Sequence, residues 1–135
     1  MAKFVATDFK VTLNATDLTS SLHAVTLDVS SNEVETTSFG NTYKTMVGGL
    51  ISGSVKLDFY QDFAAGSVDA TIWPLVNTVG TVTITPTSGT VSATNPKYTA
   101  IVLINAYQPI AANVGDLAAF SVTWPLAGTV TRGTV

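Results

Sequence analysis

His23 is the only histidine of the chain, and there is no cysteine. A Ser-His-Asp or Cys-His relay therefore reduces to a single base with no thiol and no recognisable nucleophile motif, and His23 is expected to be structural. A histidine zinc triad is ruled out by the same count, and the nine acidic residues show no calcium-loop spacing. Neither a metal nor another cofactor is expected. Asp58 and Asp62 are spaced closely enough to raise two-carboxylate glycoside chemistry. Asp58, however, lies on the polar side of an alternating run and Asp62 just past its end, where carboxylates are ordinarily solvated or salt-bridged. Gly48 and Gly49, with Gly53 following, lack the lysine, hydroxyl and helix of a phosphate cradle, so these glycines are expected to permit a bend or a close backbone approach. Trp73 and Trp124 could stack on sugar rings, but each sits beside a proline in an apolar setting, and core packing is the expectation for both. Asn14-Ala15-Thr16 fits a glycosylation acceptor pattern that short sequences meet by chance. These residues predict no catalytic centre and a protein that is not an enzyme.

The composition points to surfaces that are covered. At 135 residues the chain is long enough for one domain, residues 1–135, with a real hydrophobic core. Only 11% of its residues are charged, against roughly 25% in ordinary soluble domains, and its mean hydropathy is +0.37. Soluble monomers keep apolar patches small and intersperse charges, so other copies are expected to cover this surface. The formal net charge of −3, with six Lys and Arg spread along the chain, supplies no basic patch for gripping nucleic acid. No run approaches the roughly 18 apolar residues of a membrane helix, and the aromatics form no paired girdles, so no membrane partner is expected. MAKFVATDFK has no apolar h-region or cleavage site, so synthesis in the cytoplasm is the expectation.

These properties rest on about seven strands. Residues 3–13 favour a strand, with Phe4 and Val5 near its start. Val25, Leu27 and Val29 alternate with Thr26, Asp28 and Ser30, and Val55, Leu57 and Phe59 alternate with Ser54, Lys56 and Asp58, the period-two pattern of half-buried strands. The polar stretch 30–32 interrupts the first run, which resumes over 34–37. Between the two runs lies a long loop over about residues 38–52, where Phe39, Tyr43, Met46, Val47 and Leu50 are interspersed with glycines. It is too apolar for a solvated linker and too rich in glycine for a helix; it either folds back on its own core or, as the sharper expectation, docks on a neighbouring subunit. Val68, Ile72, Leu75 and Val76 recur at helical spacing after Ser67, which predicts one short helix over about 67–76, shortened or kinked by Pro74, with Trp73 and Leu75 on the sheet. Strands are predicted over 81–85, over 98–107 in a central position, and over 117–126, the last two joined by a turn at residues 113–116. Residues 128–135 are read as a C-terminal arm. The sum is a mainly β fold, a two-sheet sandwich or partly closed barrel with one flanking helix.

The order of these segments resembles one known family. A strand ending VETTSFG, a long loop closing at GGL, a strand SGSVKLDFYQDF, a helix SVDATIWPL and closing strands ending AFSVTWPLAGTVTR are similar to the tail tube, or major tail, proteins of phages with long, non-contractile tails. Thr37-Ser38-Phe39-Gly40 and Gly49-Leu50 match the edges of that family's inter-strand loop, Gly115-Asp116 its penultimate turn, and residues 124–130 its closing strand and glycine. Pro74 departs from the usual helix. The resemblance implies a structural virion protein forming hexameric rings that stack into a hollow tube, with the long loop and terminal arms reaching adjacent subunits. It also implies tape-measure, terminator and baseplate proteins as partners, and DNA only as passing cargo. Asp28, Glu33, Glu35 and Asp58 would then face the lumen and repel phosphate, with Lys56 opposing them. Other readings are a terminator, baseplate or decoration protein, a carbohydrate-binding sandwich marked by a row of exposed aromatics, and a small hydrolase using His23.

Overall fold

Alternation of polar and apolar residues produces seven strands and one short helix in the computed structural model, which describes residue 3 and residues 5–135. In chain order these are β1 (Lys10–Leu13), β2 (Thr16–Asp17), β3 (Leu22–Glu35), β4 (Met46–Tyr60), α1 (Val68–Ile72), β5 (Thr78–Thr85), β6 (Lys97–Ile104) and β7 (Ala119–Gly133). All pairings are antiparallel, in the spatial order β2-β1-β5-β6-β7-β4-β3. The first strand is shorter than expected and begins at Lys10; Phe4, placed near its start, lies outside the described residues.

Strand β7 makes two layers out of this order. Its first half pairs with β4, from Tyr60↔Ala119 to Ser54↔Pro125, and its second half pairs with β6, from Val102↔Leu126 to Lys97↔Gly133. Pro125 has no N–H to extend the ladder with β4. Two steps along β6, from Val102 to Ala100, span four along β7, from Leu126 to Val130. The surplus residues form a bulge at which the strand crosses between sheets. Gly128 sits in this bulge, where a Cβ would lie 3.3 Å from Ile101. The expected arm over 128–135 is therefore strand as far as Gly133, because its backbone completes the edge of β6.

The core lies between the layers. Val11, Leu13, Val82, Ile84, Ala100, Val102 and Ile104 face Val55, Leu57, Phe59, Phe120, Val122 and Trp124, and Leu18, Val68 and Ile72 close one end. Trp124 is fully buried, and its Nε1–H donates to the Ala106 carbonyl at 2.9 Å, so its polar edge is satisfied. The helix is one α-helical stretch tightened into a 3-10 turn at Trp73–Leu75, with Pro74 in its first positions. Ser67 occupies the N-cap without a side-chain capping bond. Trp73 departs from expectation and is 62% exposed. Val68 and Ile72 already fill the core-facing side, and the tighter turn carries the next side chain outward.

The expected loop over 38–52 is also shorter. Strand β4 begins at Met46, so residues 46–52 belong to a ladder with β3 that ends at Glu35↔Met46. Gly53 permits the close approach at the root of this ladder, since a Cβ there would fall 1.9 Å from the Asp28 carbonyl oxygen. Gly53→Ala is expected to lower stability by about 1–3 kcal/mol, read as a lower denaturant midpoint with faster amide exchange at residues 26–30. An unchanged midpoint would show that the two strands can part here freely.

Candidate functional site

Beyond Ser54, β4 loses β7 as a neighbour and pairs with β3 alone. The two strands therefore continue outward as a ribbon. Its end is closed by the Thr36 N–H donating to the Thr45 carbonyl at 2.8 Å, by the Thr36 and Thr45 hydroxyls 2.9 Å apart, and by the Thr45 N–H donating to Thr37 Oγ1 at 2.9 Å. Gly40, at φ 92, supplies the left-handed conformation of the tip. Lys44 and Glu35 approach to 3.8 Å with both side chains largely in water, a pair that adds little stability.

This ribbon is apolar on the outside. Phe39 and Tyr43 stand in the tip, and Val29, Val34, Met46, Val47, Leu50 and Ile51 along the strands, all exposed, Leu50 at 81%. A two-stranded ribbon without a packed face is marginal in water, and apolar groups gathered this densely normally mark a binding surface. Phe39, Tyr43, Met46, Val47 and Leu50 thus occur together, but the last three stand on a strand.

The four carboxylates assigned to one surface do not share a strand face. The irregularity between Ser31 and Glu33 puts the extra residue on β4, where Ile51 to Gly48 spans the same interval. Strand β3 alternates without a break from Ala24 to Glu35. Asp28 stands with Thr26 and Ser30 on the face away from the core, as do Lys56 and Asp58, paired with Thr26 and Ala24. Glu33 and Glu35 lie on the other face, in line with Val25, Leu27 and Val29. Asp58 is half-buried, and its Oδ1 has no hydrogen-bond partner among the described residues.

The end carrying α1 holds a second apolar surface that the sequence reading missed. Phe63, Trp73, Ile110, Val114 and Leu117 are exposed there. The predicted turn exists, with Gly115 at φ 86 and the Asp116 N–H on the Asn113 carbonyl at 3.2 Å, but it sits in a longer connection because β6 ends at Ile104. Tyr107 leaves the sheet. Its hydroxyl donates to Asp69 Oδ1 at 2.7 Å and accepts from Gln61 Nε2 at 3.1 Å, tying the connection to α1 and to the end of β4. Burial, then the bond to Asp69 and its negative charge, pushes the Tyr107 pKa up to about 12, with Gln61 opposing.

Among the described residues no relay converges on His23, which is exposed at the first irregularity of β3 and stacks on Tyr60 with ring centroids 4.4 Å apart. Asp62 Oδ1 accepts from the Ala64 N–H at 2.9 Å, so it serves the turn before α1. No group of three or more potential metal ligands occurs among the described residues, and none of their helices is long and apolar enough to cross a membrane.

What the geometry defines is an antiparallel β-sandwich with a projecting apolar ribbon. No family model and no curated protein sequence matches the chain. Among solved structures it is similar to a chain described as "Virion of native gene transfer agent (GTA) particle", with a TM-score of 0.73 and 16% identity over 93% of this chain and 95% of that one. At this identity the likeness establishes the fold.

Two outcomes follow. Phe39→Ser with Leu50→Ser should leave monomer stability within about 0.5 kcal/mol while weakening self-association in sedimentation; unfolding would assign both side chains to the core. Tyr107→Phe should cost about 1 kcal/mol at neutral pH. A folded pKa above the unfolded one stabilises fully below pH 10 and is lost as pH rises towards 12. The difference between the two proteins, followed by denaturant unfolding, should therefore narrow over that window.

Proposed function

We propose that this chain is a structural subunit of a phage-like virion, and specifically the repeating subunit of a tail tube, built as hexameric rings stacked around a hollow channel. The observation that carries the reading is the ribbon at the end of β3 and β4, apolar on its surface and uncovered in the single chain. A protein that buries Trp124 and Phe59 so completely yet leaves Phe39, Leu50 and Ile51 in water is complete only when another molecule covers them. The likeness to a gene transfer agent virion chain across 93% of this chain and the order of segments in the sequence support the same reading.

Assembly would also use the outer edge of β3, which among the described residues has no ladder partner on the side away from β4. A long bare edge is a liability in a monomer and a joint in a closed ring. The outward face carrying Thr26, Asp28, Ser54, Asp58, Ser121 and Thr123 is polar and suits the channel. With a net charge of −3 per chain, six copies would carry about −18 per ring, enough to keep a passing polyanion moving. On this reading Asp28 and Asp58 line the channel, Lys56 tempers them, and Glu33 and Glu35 belong to contacts between subunits. The virion tail is the location, following synthesis in the host cytoplasm, and tape-measure, terminator and baseplate proteins would meet the tube at its axis and ends.

Purified protein at rising concentration, followed by light scattering and negative-stain electron microscopy, tests this. Rings or hollow tubes are expected. A protein that stays monomeric at millimolar concentration, with and without a crowding agent, would overturn the assembly reading.

A further inference from the structure

We infer that the groove between β3 and the β5–β6–β7 layer is the socket for the ribbon of a second copy of this chain, an inference that rests on the assembly function proposed above. Among the described residues the sandwich stays open along β3, and a cavity of about 490 Å³ remains there, walled by Phe9, Val25, Leu27, Ile84, Tyr98 and Val130. Arg132 stands at its mouth, exposed, with Nε donating to the Tyr98 hydroxyl at 3.3 Å.

Charge selects the occupant. Among the described residues Arg132 is the one Lys or Arg that lines this groove. The ladder sets both Arg132 and Ile84 opposite Tyr98 on the groove side, whereas Lys10 and Lys97 stand on the other face of the layer. The ribbon has the complementary character. One of its faces bears Glu33 and Glu35, and Met46 is paired with Glu35. That face offers an apolar side chain for the cavity beside carboxylates for the Arg132 guanidinium at its mouth. The Lys44 contact at 3.8 Å is exposed and exchanges readily for Arg132.

The donor has to be another copy. Val29 walls the groove and is also the root of the ribbon, paired with Gly53. A ribbon folding back into its own groove would have to break the ladder from which it grows. The cavity has room for side chains from one face and not for both strands, so the ribbon lies across the mouth with Met46 inserted. Ribbon into groove is a head-to-tail contact, which propagates from copy to copy until a ring closes.

A charge exchange tests the contact. Glu35→Arg gives a positive ribbon facing a positive groove, and Arg132→Glu gives a negative ribbon facing a negative groove. Each alone should weaken self-association about tenfold or more, and an equimolar mixture should recover it, because both cross-contacts are then complementary. Folding is checked by circular dichroism, and neither side chain is buried. Variants that associate like the wild type, or that fail to recover on mixing while folded, would overturn the socket and leave the assembly function standing. A wild-type chain that never associates would overturn both.

Discussion

The change of partner along β7 is the constraint on which the other features depend. One strand supplies ladder bonds to β4 before Pro125 and to β6 after it, so the two layers are held by continuous backbone as well as by the core between them. Because β7 departs at Ser54, β3 and β4 must run on without a third strand. The buried Trp124 and the bare ribbon are therefore results of one crossing: the side chain before the crossing enters the core, and the strands left behind enter the solvent.

That geometry sorts the apolar residues into two populations. Val55, Leu57 and Phe59 are covered because β7 holds the second layer over them, whereas Val47, Leu50 and Ile51 on the same strand are not. Burial at about 25 cal/mol per Å² of apolar surface is thus realised for the first group inside the chain, and for the second only on contact with another molecule. The backbone does not have to wait for that contact, since the ladder to Glu35↔Met46 already satisfies it.

Much of the fold was legible in the alternation. Residues 55–59, 82–84 and 120–124 each have one buried and one more open face, residues 25–28 have one half-buried and one exposed face, and period two survives wherever the faces differ. The ribbon was not legible as strand because both its faces carry apolar groups, so the alternation vanished, and Gly48, Gly49 and Gly53 read as breaks. The tail over 128–135 was misjudged for a related reason. Pro125 and Gly128 resemble an ending and instead mark the crossing. Trp73 was lost in the shift from α-helical to 3-10 geometry, which changes the angle between successive side chains. Composition shows that Phe39, Tyr43, Met46, Val47 and Leu50 are apolar, but only the structure shows that they do not fold back on the core. The division of the carboxylates did not require a structure: counting by twos from Asp28 passes over Glu33 and Glu35, provided that no extra residue intervenes in β3.

The distance in sequence between β4 and β7 also sets a timetable. The β3–β4 ribbon is a local hairpin that closes within microseconds of leaving the ribosome, but roughly 60 residues separate the end of β4 from β7. At about 5–20 residues per second, Val55, Leu57 and Phe59 wait some 3–12 s for their cover. Throughout that interval a nascent chain displays its future core and its ribbon side by side, so ribosomes following closely on one message would hold mutually adhesive hairpins within reach of one another. Wide spacing of ribosomes, or a chaperone that shields β4, would protect such a chain during its own synthesis.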